Sequence, residues 1–382
     1  MFKWFLIPFV TLSCLECVGQ TTDLDVAFGI VKNAVAKKKV PGAIGVVSQH
    51  GRILREEAHG HSDLLLKRSM TPRTLCWIAS ITKPVTAAAA MKLVEDSQLA
   101  LDDPVEKYLP DFKNQKGSDG KHYPITIRQL MSHSAGIQSN PPLRPAFFFE
   151  AEWYTRDIGE IAQAVAKTPL LFEPGSRVKY SNAAPYVLAR IIELQSGMRY
   201  DRFVQTQILD PLEMGDTYFA PPRLVMDRLA EVVRREDGSE DSTFFRFDPK
   251  WRLNMAMPDG GLFATPADVV KFTQMFVRND GRVLSKQSVR TMLTEQAPGW
   301  GLGWALTPDG SFFHTGSSGT LTWGDPRTGV AGAIFCQIQD YKTKAHESLK
   351  LREQFRKEVD TALRAGATPD SGGGVRHVPR RR

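Results

Sequence analysis

Cysteine is scarce: the chain holds four in 382 residues, Cys14, Cys17, Cys76 and Cys336. That is too few for a disulfide framework, and the last two read as buried thiols, with a single bridge between them as the other reading. No cysteine and histidine cluster has zinc-ligand spacing, so no metal site is expected. Beyond the N-terminus no apolar run approaches the length of a membrane span, and there is no internal repeat. A strong charge of one sign is also missing. The net charge is +7, and Arg376, Arg380, Arg381 and Arg382 against Asp370 supply +3 of it at the C-terminal end. A nucleic-acid partner is therefore not implied. What is present is 42% hydrophobic residues, enough for a substantial core in one large domain or two smaller ones.

Met1-Phe2-Lys3 is followed by an apolar run from Trp4 to Cys14 and then by small residues ending Cys17-Val18-Gly19. One positive charge, an apolar stretch and small residues in that order predict a signal peptide over 1–19 and a secreted or periplasmic protein. The alternative is a buried first strand or a retained anchor, and Glu16 lies unusually close to the cut. Lipoprotein anchoring through Cys14 is disfavoured because Thr11 stands where a branched apolar residue belongs.

Apolar spacing predicts a helix over 24–38, then strands over 43–49 and 52–59 joined at Gly51. Strands are also expected over Trp300–Leu306, Phe312–Gly316 and Val330–Ile338, with a closing helix over Thr343–Leu363. Between these ends, Ile81–Val94 reads as a helix buried all round. Thr126–Ser132, Asp157–Ala166, Pro185–Gln195 and Thr265–Arg278 read as further helices, the last opened by a capping threonine and a first-turn proline. The expected fold is α/β. An antiparallel sheet drawn from 24–79 and 300–362 is flanked by helices, with an all-α region within 80–299 alongside. The domain spans 20–365, and 366–382 forms a disordered basic tail.

Ser80-Ile81-Thr82-Lys83 stands where a strand-like segment gives way to the buried helix. Residues three apart share a helix face, so the Lys83 amine can reach the Ser80 hydroxyl. A serine needs such a base to attack a carbonyl carbon, and a helix N-terminus offers N–H groups to the developing oxyanion. Two fixed letters in four also arise by chance. Tyr180-Ser181-Asn182 supplies a phenol that a nearby ammonium would make more acidic, and an amide able to hold Lys83 and substrate in register. An isolated tyrosine is more often a core residue. His314-Thr315-Gly316, with Ser317 next, lies on a strand whose glycine would let substrate lie close and whose Ser317 N–H could serve as a second oxyanion donor. A lone strand histidine is usually structural.

As an ordered set, these three motifs resemble the class C β-lactamase-like serine hydrolases, which include penicillin-binding peptidases and carboxylesterases. Leu130-Met131-Ser132-His133-Ser134-Ala135-Gly136, Pro258-Asp259-Gly260-Gly261-Leu262, Trp300-Gly301-Leu302-Gly303-Trp304 and Asp325-Pro326 fit the same pattern, over about residues 24–362. The resemblance implies Ser80 as acylated nucleophile, Lys83 and Tyr180 as the proton-handling pair and Asn182 as a positioning side chain. It also implies substrate contacts from His314, Thr315, Gly316 and Ser317, and an oxyanion hole from the amides of Ser80 and Ser317. True class C β-lactamases carry lysine where this chain has His314, so antibiotic hydrolysis becomes doubtful as the main activity. A histidine that charged below about pH 6.5 would give a pH-dependent preference for acidic substrates.

The expected function is that of an exported serine hydrolase acting through an acyl-Ser80 ester on a small ester, amide or peptide, with no cofactor or metal. A D-alanyl-D-alanine carboxypeptidase, penicillin-binding protein or β-lactamase is the second reading, and a catalytically silent binding protein the third. The basic tail would touch anionic envelope polymers.

Overall fold

The computed structural model describes residues 24–141, 157–234, 243–245, 256–339 and 347–365. The signal peptide expected over 1–19 and the basic tail expected over 366–382 lie outside them. In chain order the helices and strands are α1 (Asp25–Ala36), β1 (Gly42–Gln49), β2 (Arg52–Asp63), β3 (Arg68–Ser69), β4 (Cys76–Trp77), α2 (Thr82–Glu95), α3 (Ile127–Met131) and α4 (Ile158–Ala166). Next come α5 (Ala184–Ser196), α6 (Tyr200–Val204), β5 (Thr217–Tyr218), β6 (Val232–Arg234), β7 (Thr243–Phe245), β8 (Phe263–Ala264), α7 (Pro266–Arg278) and α8 (Lys286–Leu293). The chain then returns through β9 (Ala305–Leu306), β10 (Phe312–Gly316), β11 (Thr320–Asp325), β12 (Val330–Phe335) and β13 (Ile338–Gln339) to α9 (Glu347–Ala365).

Seven strands form one antiparallel sheet in the order β3-β2-β1-β12-β11-β10-β9. The α/β frame is therefore closed from both ends of the chain, with β1 and β12 paired at its centre. Alternation divides β1 between two cores. Ala43 and Val47 pack with Phe28 of α1 and Phe355 of α9, while Ile44 and Val46 turn to the core shared with α2 and α7. Because both faces are covered, the strands read as continuous apolar runs. Fully burying a side chain such as Phe355 stabilises the fold by roughly 1.5–3 kcal/mol.

The stretch 80–299 is mainly helical as expected, but it is not all-α: β5 to β8 fall within it and join two small three-stranded sheets. Of α2 only Lys92, Val94 and Glu95 escape burial, and its alanines allow close approach on every side. Thr265 caps α7 by accepting from the Asp268 N–H, and Thr126 and Gln129 form a capping box on α3. Among the described residues no helix is long and apolar enough to cross a membrane. Cys76 and Cys336 are buried thiols that form no disulfide with one another.

Three further sequence expectations need correction. Trp300–Leu306 is a strand only at Ala305–Leu306, because Gly303 adopts a φ of +83° to pass close to Ala87 of α2. Val330–Ile338 breaks after Phe335, and Ile338–Gln339 pairs instead with β6 in a separate small sheet. β11 was not anticipated. Its Thr-Leu-Thr-Trp-Gly-Asp sequence is buried on both faces, so it shows no alternation to read.

Candidate active site

Ser80 sits in a 3₁₀ turn, Ala79–Ile81, between β4 and α2, so it precedes the α-helix instead of opening it. The turn is strained: Ala79 has a φ of +46°, which costs a residue with a Cβ roughly 1–2 kcal/mol. Its surroundings hold it there. Thr82 Oγ1 donates to the Ala79 carbonyl at 2.7 Å and accepts from the Leu262 N–H at 3.2 Å. One residue pair upstream, the Gln337 side chain acts as a one-residue strand partner, with Oε1 accepting from Trp77 N and Nε2 donating to Trp77 O, both at 3.1 Å. Ser318 Oγ donates to the same carbonyl at 2.5 Å, and Thr320 Oγ1 to Ile78 O at 3.2 Å. The lead into Ser80 is thus clamped by side chains from the far end of the chain.

The Lys83 side chain, one turn on, is buried at 3% exposure. Its Nζ donates to Ser80 Oγ at 3.1 Å and to the Asp259 carbonyl at 2.6 Å, and lies 4.9 Å from the Tyr180 ring centroid. Asp259 is itself fixed, since its carboxylate accepts from Tyr186 of α5 at 3.0 Å. Tyr180 packs against His133 with the rings tilted by 36° and their centroids 4.4 Å apart, and Trp300 meets the His133 ring edge-on at 4.5 Å. His314 stands 6.2 Å from the Tyr180 ring and 6.0 Å from Trp300, centroid to centroid. Ser80 with Lys83, Tyr180 and His314 therefore converge from three separate segments.

The remaining expected residues follow Tyr180 and His314 in the chain. Asn182 donates from Nδ2 to Asn140 Oδ1 at 2.9 Å and from its backbone to Ser139 O at 2.6 Å. Thr315 accepts from the His314 ring through its carbonyl. Gly316 ends β10 against Ile78, where any Cβ would collide with the Ile78 carbonyl and the Thr320 hydroxyl. That contact brings exposed Ser317 to the edge of the Ser80 turn.

The two imidazoles have opposite tautomers. His314 Nδ1 lies 2.9 Å from a carbonyl that can only accept, so Nδ1 carries the hydrogen and buried Nε2, which has no hydrogen-bond partner among the described residues, is a lone pair. His133 Nδ1 accepts from the Ser181 N–H at 3.3 Å, leaving the hydrogen on Nε2. Burial first, and the neighbouring Lys83 second, lower the His314 pKa to about 3, against the weaker opposing pull of the Thr315 carbonyl. Burial, then Lys83 and His314, push His133 well below its ordinary range. The expected charging of His314 below about pH 6.5 is thereby corrected: a sequence cannot show that the imidazole is desolvated beside an ammonium.

A pH dependence of stability follows. Below about pH 6.5 the unfolded chain protonates both histidines, while the folded chain leaves His314 neutral down to about pH 3 and holds His133 well below its ordinary range. Stability is expected to fall as pH drops through that window, and these groups add no slope above about pH 7. Urea midpoints taken from pH 8 to pH 4 check it, and a His314→Asn chain should show a shallower acid limb.

The Beta-lactamase family model matches residues 28–355. The chain belongs to that family. A relative within the Beta-lactamase family, Esterase EstB of Burkholderia gladioli, is 30% identical over 347 residues, which cover 82% of this chain and 87% of EstB. Among solved structures, EstCE1, a hydrolase with promiscuous acyltransferase activity, aligns with a TM-score of 0.77 at 21% identity, covering 88% of this chain and 98% of its own. The octameric penicillin-binding protein homologue from Pyrococcus abyssi aligns at 0.74 with 25% identity, over 91% of this chain and 79% of that one. The mixed α/β fold with its large antiparallel sheet is the Beta-lactamase fold.

His133, Asp259 and Trp300 lie at the centre of the site, yet sequence reasoning gave them no role. Each sits in a phrase that fits the Beta-lactamase pattern, and that phrase was the available signal. Nothing in the spacing of the residues said that His133 would meet Tyr180, 47 positions away.

Proposed function

We propose that this chain is a serine esterase of the class C β-lactamase type. Ser80 Oγ attacks the carbonyl carbon of a small ester, and its proton passes to the Lys83 and Tyr180 pair. Collapse of the tetrahedral intermediate breaks the bond to the alcohol, which takes that proton and leaves. Water then cleaves the acyl-Ser80 ester by the same steps in reverse roles. The amides of Ser80 and Ser317 receive the oxyanion, and Asn182 and His314 to Gly316 line the substrate. The observation that carries the reading is the 3.1 Å contact between Ser80 Oγ and a lysine amine buried beside it.

His314 favours an uncharged substrate over one with a free carboxylate. A neutral imidazole whose Nε2 is an acceptor offers a carboxylate neither charge nor hydrogen. Similarity to EstB supports the ester reading, and similarity to the penicillin-binding protein homologue favours a peptidase as the second. Export after cleavage near Gln20, and contact of the tail with envelope polymers, belong to the same proposal.

The test sets short p-nitrophenyl esters beside a penicillin and follows both product release and intact mass. Ester turnover with at most a transient penicillin adduct is expected. A long-lived penicillin adduct on Ser80 without ester turnover would replace the esterase with a penicillin-binding peptidase. Failure of a serine-directed phosphonate to label the folded chain would leave a binding protein.

A further inference from the structure

We infer that His133 is a positioning residue for Tyr180, a role that rests on the proton-handling role proposed above for that phenol. His133 brackets Tyr180 from both sides in sequence. Its carbonyl accepts from the Lys179 N–H at 2.9 Å, and its Nδ1 accepts from the Ser181 N–H at 3.3 Å. Between these two points its ring packs against the phenol, centroids 4.4 Å apart and planes tilted by 36°. One residue thus restrains the backbone before Tyr180, the backbone after it and the ring itself.

The bracket has its own support. His133 is buried at 4% exposure and adopts a φ of +58°, a conformation in which histidine and asparagine are enriched among residues with a Cβ. That backbone turn lets the carbonyl and Nδ1 of one residue both meet the 179–181 segment. Trp300 meets the same imidazole edge-on at 4.5 Å and stands 5.9 Å from the Tyr180 ring, so the three rings pack as one triangle. The Ser181 hydroxyl is occupied elsewhere, donating to Gln138 O at 2.6 Å and accepting from the amides that open α5. Nδ1 of His133 is therefore the side-chain anchor of the amide directly after Tyr180.

Placing a proton acceptor is worth much in rate, since a misplacement of about 1 Å costs on the order of 100-fold. Removing the Nδ1 acceptor should lower kcat while leaving KM nearly unchanged, because Tyr180 serves proton transfer and not substrate capture.

Three variants separate the features. His133→Phe keeps a ring face and loses the acceptor. His133→Asn loses the ring, but its Oδ1 can accept from Ser181 N and it tolerates the left-handed backbone. His133→Gly removes both without backbone strain, and serves if the phenylalanine chain does not fold. Each is assayed on a p-nitrophenyl ester below its melting temperature, with amide hydrogen exchange followed over 179–182. Expected are a kcat loss of about 10-fold to 100-fold in the Phe and Gly chains at near-constant KM, recovery to within a few-fold in the Asn chain, and faster exchange over 179–182 in the first two only. Wild-type kcat in the Phe or Gly chain overturns the inference. So does a loss of kcat, KM and melting temperature shared by all three. Absence of Ser80-dependent turnover in the wild type is failure of the proposed function instead; exchange then decides the bracket, and unchanged rates over 179–182 overturn it.

Discussion

A Ser80→Ala chain is expected to fold as the wild type does and to hydrolyse esters no faster than buffer. The change removes one oxygen from a half-buried position whose recorded side-chain partner is Lys83. Losing that hydrogen bond costs about 0.5–1.5 kcal/mol, and Lys83 keeps its bond to the Asp259 carbonyl. Catalysis has no such reserve. If the acyl group must pass through Oγ, kcat/KM should fall by at least about 10³-fold, toward the ~10⁶-fold loss known for removal of a nucleophile that acts in one unit with its base. Melting temperature and ester turnover measured on one preparation check both halves. More than a trace of activity in the well-folded variant would sink the covalent mechanism.

Lys83 should prove nearly as sensitive, and the choice of replacement says why. Methionine fills a similar volume in the buried niche but has no proton to give or take. Arginine keeps the charge and a donor, yet never deprotonates in a protein. If Lys83 shares in taking the Ser80 proton, both substitutions should lower kcat/KM by about 10²- to 10⁴-fold, the range for loss of a positioned acid or base. Phosphonate labelling of Ser80 should slow in parallel. An arginine variant close to wild-type rate would mean that Lys83 supplies only positive charge. The methionine chain should also be less stable, because the Asp259 carbonyl loses the donor that now meets it at 2.6 Å.

Much of this architecture was legible because periodicity and punctuation are local. The amphipathic pattern gave α1, the capping threonine and proline gave α7, and Gly51 marked the turn between β1 and β2. Of the motif residues, Ser80, Lys83, Tyr180 and His314 lie together in the structure. Reading failed where neighbours decide. β11 hid because burial on both faces removes alternation, and Trp300–Gly303 looked extended until Gly303 met Ala87. The charge on His314 was misjudged because it depends on desolvation and on Lys83, 231 positions away. His133 was in view as part of a phrase, but its value lies in three contacts to 179–181 that no spacing rule supplies.

The pairing of β1 with β12 also sets a timetable for synthesis. The hairpin of β1 and β2 is made early, but the neighbour that completes β1 is separated from it by almost the whole chain, as the Ser48 to Ala331 bond across 283 positions shows. Closing so long a loop defers the central sheet until late in folding. The turn that carries Ser80 waits as well, since Ser318, Thr320 and Gln337 hold its approach. A ribosome-bound chain that stops short of Gln337 should therefore carry an intact Ser-x-x-Lys sequence and no reactive serine. On the proposed mechanism Ser80 becomes reactive only when the last strands arrive, so premature termination should yield inert fragments.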